Sequence, residues 1–307
     1  MPGFSYRVVD VFPDRPFGGN PLAVFPDALE IPPTLFQSIA RELNLSETTF
    51  VLPAADPACH CKVRIFTPAR ELPTAGHPTI GTAFVLTREG RFDPAASGGV
   101  MRMEQEVGTV PVTIETMDGA PGRITMEQAV PRFGPEDPRR AEIAAMLSLD
   151  QADLLDGVPI EVGSAGVPFL YVPLRSLDAA RRAVLRMDLW SSLLAHREAS
   201  SPFLLTTETE SPNATVHARM FGPALGVPED PATGIASGPL GGFLLRHGML
   251  RNQPPQDTGE VMILSEQGLE MGRPSSIEIR IALDGGTITG VKVGGHSVYM
   301  ASGTMHL

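Results

Sequence analysis

The chain is poor in cysteine: Cys59 and Cys61 are the only two in 307 residues, and only His60 stands between them. A disulfide between such near neighbours is geometrically awkward, and a lone Cys-x-Cys is short of ligands for a structural zinc site. Both are read as free thiols on or near a strand, and the expected location is cytoplasmic. Basic runs are missing too. Lys and Arg do not cluster beyond pairs such as Arg139-Arg140 and Arg181-Arg182, and the formal charge is −11. Nucleic acid is therefore not an expected partner, because phosphate recognition needs a cationic patch. No apolar run approaches the roughly 18 residues that cross a bilayer. The opening Met1-Pro2-Gly3-Phe4-Ser5-Tyr6-Arg7 lacks a basic segment followed by an apolar one, so neither a membrane nor a secretory role is expected. Two enzyme signatures are absent as well. Gly163-Ser164-Ala165-Gly166 has the wrong spacing for a nucleophile elbow, and no Gly-x-Gly-x-x-Gly joins a strand to a helix. A serine hydrolase and a nicotinamide enzyme are both disfavoured. His60, His196, His217, His247, His296 and His306 show no ligand spacing, so no metal and no cofactor are expected.

What is present is a globular composition, 42% apolar and 19% charged, long enough for one large domain or two ordinary ones. The chain also repeats itself. Arg64-x-Phe66-x-Pro68 recurs as Arg219-x-Phe221-x-Pro223. Each is followed by an irregular proline-containing stretch, a glycine (Gly76 or Gly234), a run of small and apolar residues, and a closing glycine (Gly90 or Gly248) at the same spacing. Downstream, Glu106-Val107-Gly108 and Glu266-Gln267-Gly268 each precede an alternating, strand-like run. A period near half the chain is far too long for a solenoid and points to two pseudo-symmetric lobes.

Strands are expected at Tyr6 to Phe12, Thr48 to Leu52 and Cys61 to Phe66, from their β-branched and aromatic residues. Helices are expected from Pro33 to Leu43, His77 to Arg88 and Ile235 to His247. The last two are apolar nearly all round, which suits buried helices. Many short strands with one buried helix per lobe make the fold class α+β. Asp118-Gly119-Ala120-Pro121-Gly122 is the expected linker. The lobes are then 1–122 and 123–307, with the final residues free to return to the first.

The candidate chemistry lies at the two repeated glycines. Gly76, before His77-Pro78, and Gly234, after Pro231-Ala232-Thr233, each open a helix. First-turn amides suit an anion, and glycine lets a ligand approach closely. One such start alone reads better as an ordinary cap with glycine at a tight bend; two in a duplicated chain favour a grip on a small acid from both sides. Glu47, in Asn44-Leu45-Ser46-Glu47-Thr48, precedes an apolar strand. Partial burial would push its carboxyl toward a useful acid/base range, although an exposed or capping glutamate fits the same segment. Asp230 could cap the second helix or contact substrate, and His77 could donate to substrate or simply pack.

The motifs together resemble the phenazine biosynthesis, PhzF-like family. They are Phe17-Gly18-Gly19-Asn20-Pro21, Asn44-Leu45-Ser46-Glu47-Thr48, Phe66-Thr67-Pro68, Ala75-Gly76-His77-Pro78, Val227-Pro228-Glu229-Asp230-Pro231-Ala232-Thr233-Gly234 and Gln267-Gly268. The resemblance spans nearly the whole chain in order. It implies a diaminopimelate epimerase-like fold, each lobe a curled sheet around a central helix with the site between them. It also implies a cofactor-independent isomerase acting on a small acidic molecule, with Glu47, Asp230 and His77 as catalytic residues and Asn20, Gly76, Thr233 and Gly234 holding substrate. A homodimer is left open. The two cysteines of related racemases are replaced by Ala75 and by Ala232 or Thr233. A further departure is Ile235, where the family's phenazine-pathway member has serine, and this speaks against that member's substrate. The rival expectation is a non-catalytic, small-acid-binding or regulatory protein on the same fold.

Overall fold

A computed structural model describes residues 2–250 and 257–307. The first lobe contains β1 (Gly3–Val11), β2 (Asn20–Phe25), β3 (Glu47–Leu52), β4 (Cys61–Phe66), β5 (Glu71–Leu72), β6 (Val100–Gln105), β7 (Gly108–Met117) and β8 (Ala120–Gln128). Its helices are α1 (Phe36–Leu43) and α2 (Gly76–Arg88). The second lobe contains β9 (Arg132–Glu136), β10 (Glu161–Ser164), β11 (Pro168–Pro173), β12 (Pro202–Thr206), β13 (Val216–Gly222), β14 (Val227–Asp230), β15 (Gly259–Gln267), β16 (Ser275–Asp284) and β17 (Thr287–Gly295). Its helices are α3 (Arg140–Met146), α4 (Leu177–Arg182), α5 (Met187–Leu193) and α6 (Gly234–Arg246). The last strand is β18 (Ser297–His306).

Strand pairing shows the duplication directly. In the first lobe β1, β2, β3, β4, β6, β7 and β8 lie side by side, with β2–β3 and β4–β6 parallel, the others antiparallel, and β5 attached to β4. In the second lobe β10, β11, β12, β13, β15, β16 and β17 follow the same order, with β11–β12 and β13–β15 parallel and β14 attached to β13. The final strand of each repeat crosses over: β9 pairs with β10, and β18 pairs with β1 along its whole length. The chain end therefore lies against the first strand. The expected linker is different. Residues 118–122 are the turn and first residues of the β7–β8 hairpin, and β8 is paired to both β7 and β17. The first lobe thus runs on to Gln128, and the turn-rich stretch had the chemistry of a hairpin rather than of a free connection.

Each curled sheet encloses one helix. Residues 76–86 of α2 and 234–244 of α6 are all buried, which their glycine, alanine and aliphatic composition permits on every face. Equivalent side chains sustain equivalent positions: Arg64 makes a bidentate pair with Glu71, and Arg219 makes one with Glu229. Among the described residues no helix is long and apolar enough to cross a membrane.

The lobes are joined beside the helix starts. Arg273 of the second lobe donates to Asp10 Oδ1 and to the carbonyls of Gly18 and Gly19, while the Gly19 amide donates to the Pro274 carbonyl. Phe12, buried at φ 72°, exchanges backbone hydrogen bonds with His296 and Ser276, and its ring tip reaches the space beside Gly234. A bulky residue in that backbone region is strained and persists only where its surroundings over-determine it.

Candidate active site

Helices α2 and α6 meet start to start. A methyl group on Gly76 would stand 2.6 Å from the Gly234 carbonyl carbon and from the Ile235 nitrogen; one on Gly234 would stand 3.2 Å from Gly76 Cα and His77 N. Glycine at Gly76 is thus required by close backbone approach. The two starts were expected to face each other across a cleft; instead they abut. Neither N-cap residue, Ala75 nor Thr233, caps its helix with its own side chain. The positive ends of two helix dipoles, with first-turn amides free of side-chain acceptors, converge at one point.

Around that point the expected residues come together. Glu47 opens β3, with its side chain on the same face as Thr49, which bonds Thr82 of α2. His77 is the second residue of α2, Asn20 opens β2, Asp230 closes β14 and Thr233 precedes α6. Glu47, His77 and Asp230 are 8%, 3% and 5% exposed, and Asn20 is fully buried. Asn20 Nδ2 donates to Asp230 Oδ1 at 2.7 Å and to the Ala232 carbonyl at 2.9 Å, with His77 Nδ1 at 3.2 Å. Thr233 Oγ1 donates to Asp230 Oδ2 at 2.7 Å, so Asp230 engages this hydroxyl instead of capping α6. Glu47 Oε2 lies 3.1 Å from His77 Nε2. The N–H direction is off-line, and neither atom has a hydrogen-bond partner among the described residues.

Electrostatics follow from burial. Glu47 is pushed well above the usual carboxylate range by burial, with the Asp230 charge adding to the rise. Burial raises Asp230 to about 6 against the hydrogen bonds from Thr233, Asn20 and Ser46, which favour its ionised form. Burial lowers His77 to about 3, so the imidazole is neutral at physiological pH. The cluster therefore holds two carboxyl groups with elevated proton affinity and one neutral imidazole, a set able to take a proton and give it back.

Three supporting residues were not singled out from the sequence. Ser46 bonds Asp230. Gln267, ending β15, accepts from the Thr233 amide and donates to the Asp230 carbonyl and Thr233 Oγ1. Gln128 of the first lobe donates to the Gly234 carbonyl of the second. The repeat carried a signal for one of them. Gln105 ends β6 as Gln267 ends β15, and it braces α2 by bonds to Thr74 and Thr79. The echo lies two residues off the expected alignment of Glu106-Val107-Gly108 with Glu266-Gln267-Gly268.

Known proteins share this architecture. The structure superposes on a PhzF-family phenazine biosynthesis protein of Bacillus anthracis with a TM-score of 0.88, 26% identity and full coverage of both chains. A hydroxyproline epimerase of Agrobacterium vitis shares the fold at 12% identity and a TM-score of 0.65, covering 98% of this chain and 92% of its own. In sequence, trans-2,3-dihydro-3-hydroxyanthranilate isomerase of Pseudomonas aeruginosa is 37% identical over 98% of this chain and 99% of its own. An uncharacterized isomerase of Mesorhizobium japonicum is 34% identical over 99% of both. The fold and these relatives define a two-lobed isomerase, which disfavours the non-catalytic alternative. More narrowly, the chain belongs to the PhzC-PhzF family of phenazine biosynthesis-like proteins, whose profile matches residues 9–303.

Proposed function

We propose that this isomerase moves a proton between carbons of a small organic acid without a cofactor, and that Glu47 is the group that carries it. The observation behind this reading is a buried Glu47 whose Oε2 has no hydrogen-bond partner, set against His77 where two uncapped helix starts meet. A substrate carboxylate is held by the first-turn amides beside Gly76 and Gly234. Glu47 takes a proton from an adjacent carbon, and the electron pair left behind spreads into the unsaturated or acidic part of the substrate. The same carboxyl then returns a proton at another carbon, so atoms and charge balance over the cycle. Neutral His77 contributes an N–H donor, and Asp230, braced by Thr233, Asn20 and Ser46, faces a donor group of the substrate.

The named relatives make trans-2,3-dihydro-3-hydroxyanthranilate the first compound to assay. Ile235, buried with the apolar core at the start of α6, favours a substrate less polar at that point. Glu47→Gln keeps the size and removes the proton-carrying oxygen. It is expected to cut turnover by about 10²–10⁴-fold while leaving substrate affinity and thermal unfolding near wild type. Retained turnover would place the proton carrier elsewhere.

A further inference from the structure

Asn20 was expected to touch substrate; its amide nitrogen is committed to the protein, whereas its Oδ1 has no hydrogen-bond partner among the described residues. Its Nδ2 carries two hydrogens and lies 2.7 Å from Asp230 Oδ1 and 2.9 Å from the Ala232 carbonyl. Rotating the amide would put Oδ1 against those two acceptors, so the orientation is fixed. Among the described residues the one hydrogen-bond contact of His77 Nδ1 is this same Nδ2, at 3.2 Å. Nδ2 is a donor with no acceptor capacity, so a hydrogen on Nδ1 would face no acceptor. The imidazole hydrogen is thereby driven to Nε2, the nitrogen 3.1 Å from Glu47 Oε2.

From this geometry we infer that Asn20 is a positioning residue that sets the histidine tautomer: it holds His77 as the Nε2–H form and so turns a donor nitrogen, not an acceptor, toward the Glu47 carboxyl 3.1 Å away. The competing state has the hydrogen on Nδ1 and a protonated Glu47 donating to a bare Nε2. That state would leave Glu47 an acid with its proton already engaged. Excluding it matters because burial by itself favours the protonated carboxyl. Asn20 opposes that tendency through His77, while its second hydrogen bond keeps Asp230 oriented. The inference deepens the proposed role of Glu47 and rests on it for its meaning, but its test is made on ligand-free protein and needs no turnover.

The full chain labelled with ¹⁵N-histidine reports the tautomer in long-range ¹H–¹⁵N spectra, and His77→Gln assigns the resonance among the seven histidines. Near neutral pH the wild type is expected to show His77 as Nε2–H. An Nδ1–H or doubly protonated ring would overturn the inference without recourse to any Asn20 variant. In Asn20→Asp the residue at position 20 can accept, so the Nδ1–H form is expected to dominate. The Glu47 titration, read through the His77 Nε2 shift, is expected to move up by about one pH unit or more. An unchanged tautomer in a folded Asn20→Asp protein would also overturn it. If the tautomer switches as expected while Glu47→Gln retains full turnover, the positioning role of Asn20 stands and the proposed role of Glu47 falls.

Discussion

At the scale of the residue, Asp230 shows how a buried carboxyl costs stability. Its carboxyl ordinarily titrates near 3.9 and is raised to about 6 here, burial being the leading cause. Between those values the folded protein binds the proton more tightly than the unfolded chain, so stability falls as pH rises through that window. Above it the whole penalty is present. Asp230→Asn keeps the shape and removes the charge; it is expected to flatten this part of the pH–stability curve and to raise unfolding free energy near pH 7.5 by on the order of 1–3 kcal/mol, with activity lost. Denaturant melts from pH 4 to 8 check this, and a variant less stable than wild type above pH 6 would contradict it. Glu47 has the same sign of shift, from burial and then from the Asp230 charge. His217 has the opposite consequence. Burial alone would lower it, but Glu266 and Glu270 on its two nitrogens outweigh that and raise it to about 9. The stability it contributes is complete below about 6.5 and disappears as pH rises through 9. His217→Gln is expected to unfold more easily at pH 6 and to lose the wild type's decline in stability between pH 6.5 and 9, as parallel melts would reveal.

At the scale of the element, the seam between α2 and α6 depends on two glycines that are not equivalent. The methyl of Gly76→Ala would lie 2.6 Å from backbone atoms of Gly234 and Ile235, whereas that of Gly234→Ala would lie 3.2 Å from its nearest neighbours. Backbone cannot turn aside as a side chain can, so Gly76→Ala is expected to cost about 2–3 kcal/mol and most of the turnover, and Gly234→Ala clearly less. Equal losses in the two variants would mean that the helix starts are not packed as described. These helices were legible in the sequence because their composition is apolar all round and their spacing repeats. The strand bearing Glu47 was legible from its β-branched residues. Less visible was the partner of each polar group. That Asp230 would meet Thr233, Asn20 and Ser46 depends on β2 and β3 of one lobe reaching β14 of the other, which no local pattern encodes. The stretch 118–122 was misread for a related reason: Gly and Pro announce a turn, but only pairing between β7 and β8 shows that the turn closes a hairpin.

At the scale of the whole molecule, the exchanged strands tie the lobes into a single unit. β18 supplies the outer neighbour of β1 from Gly3 to Val11, and β8 pairs with β17 across the boundary. Removing residues 297–307 leaves β1 as an open edge. Hydrogen exchange is expected to show lost protection in β1 with α6 still protected; undiminished protection of β1 would contradict the pairing. The same joining brings Asn20, Glu47 and His77 from one lobe to Asp230 and Thr233 from the other, so the proposed chemistry exists only in the assembled chain. Its most direct measurement is turnover in deuterated water, with the product examined by mass spectrometry and NMR. Wild type is expected to place solvent deuterium at the carbon that receives the proton, while Glu47→Gln, equally folded and equally able to bind, places almost none. Full deuterium incorporation by Glu47→Gln, or a wild-type product formed by direct transfer with no solvent label even under slow turnover, would contradict Glu47 as the exchanging proton carrier.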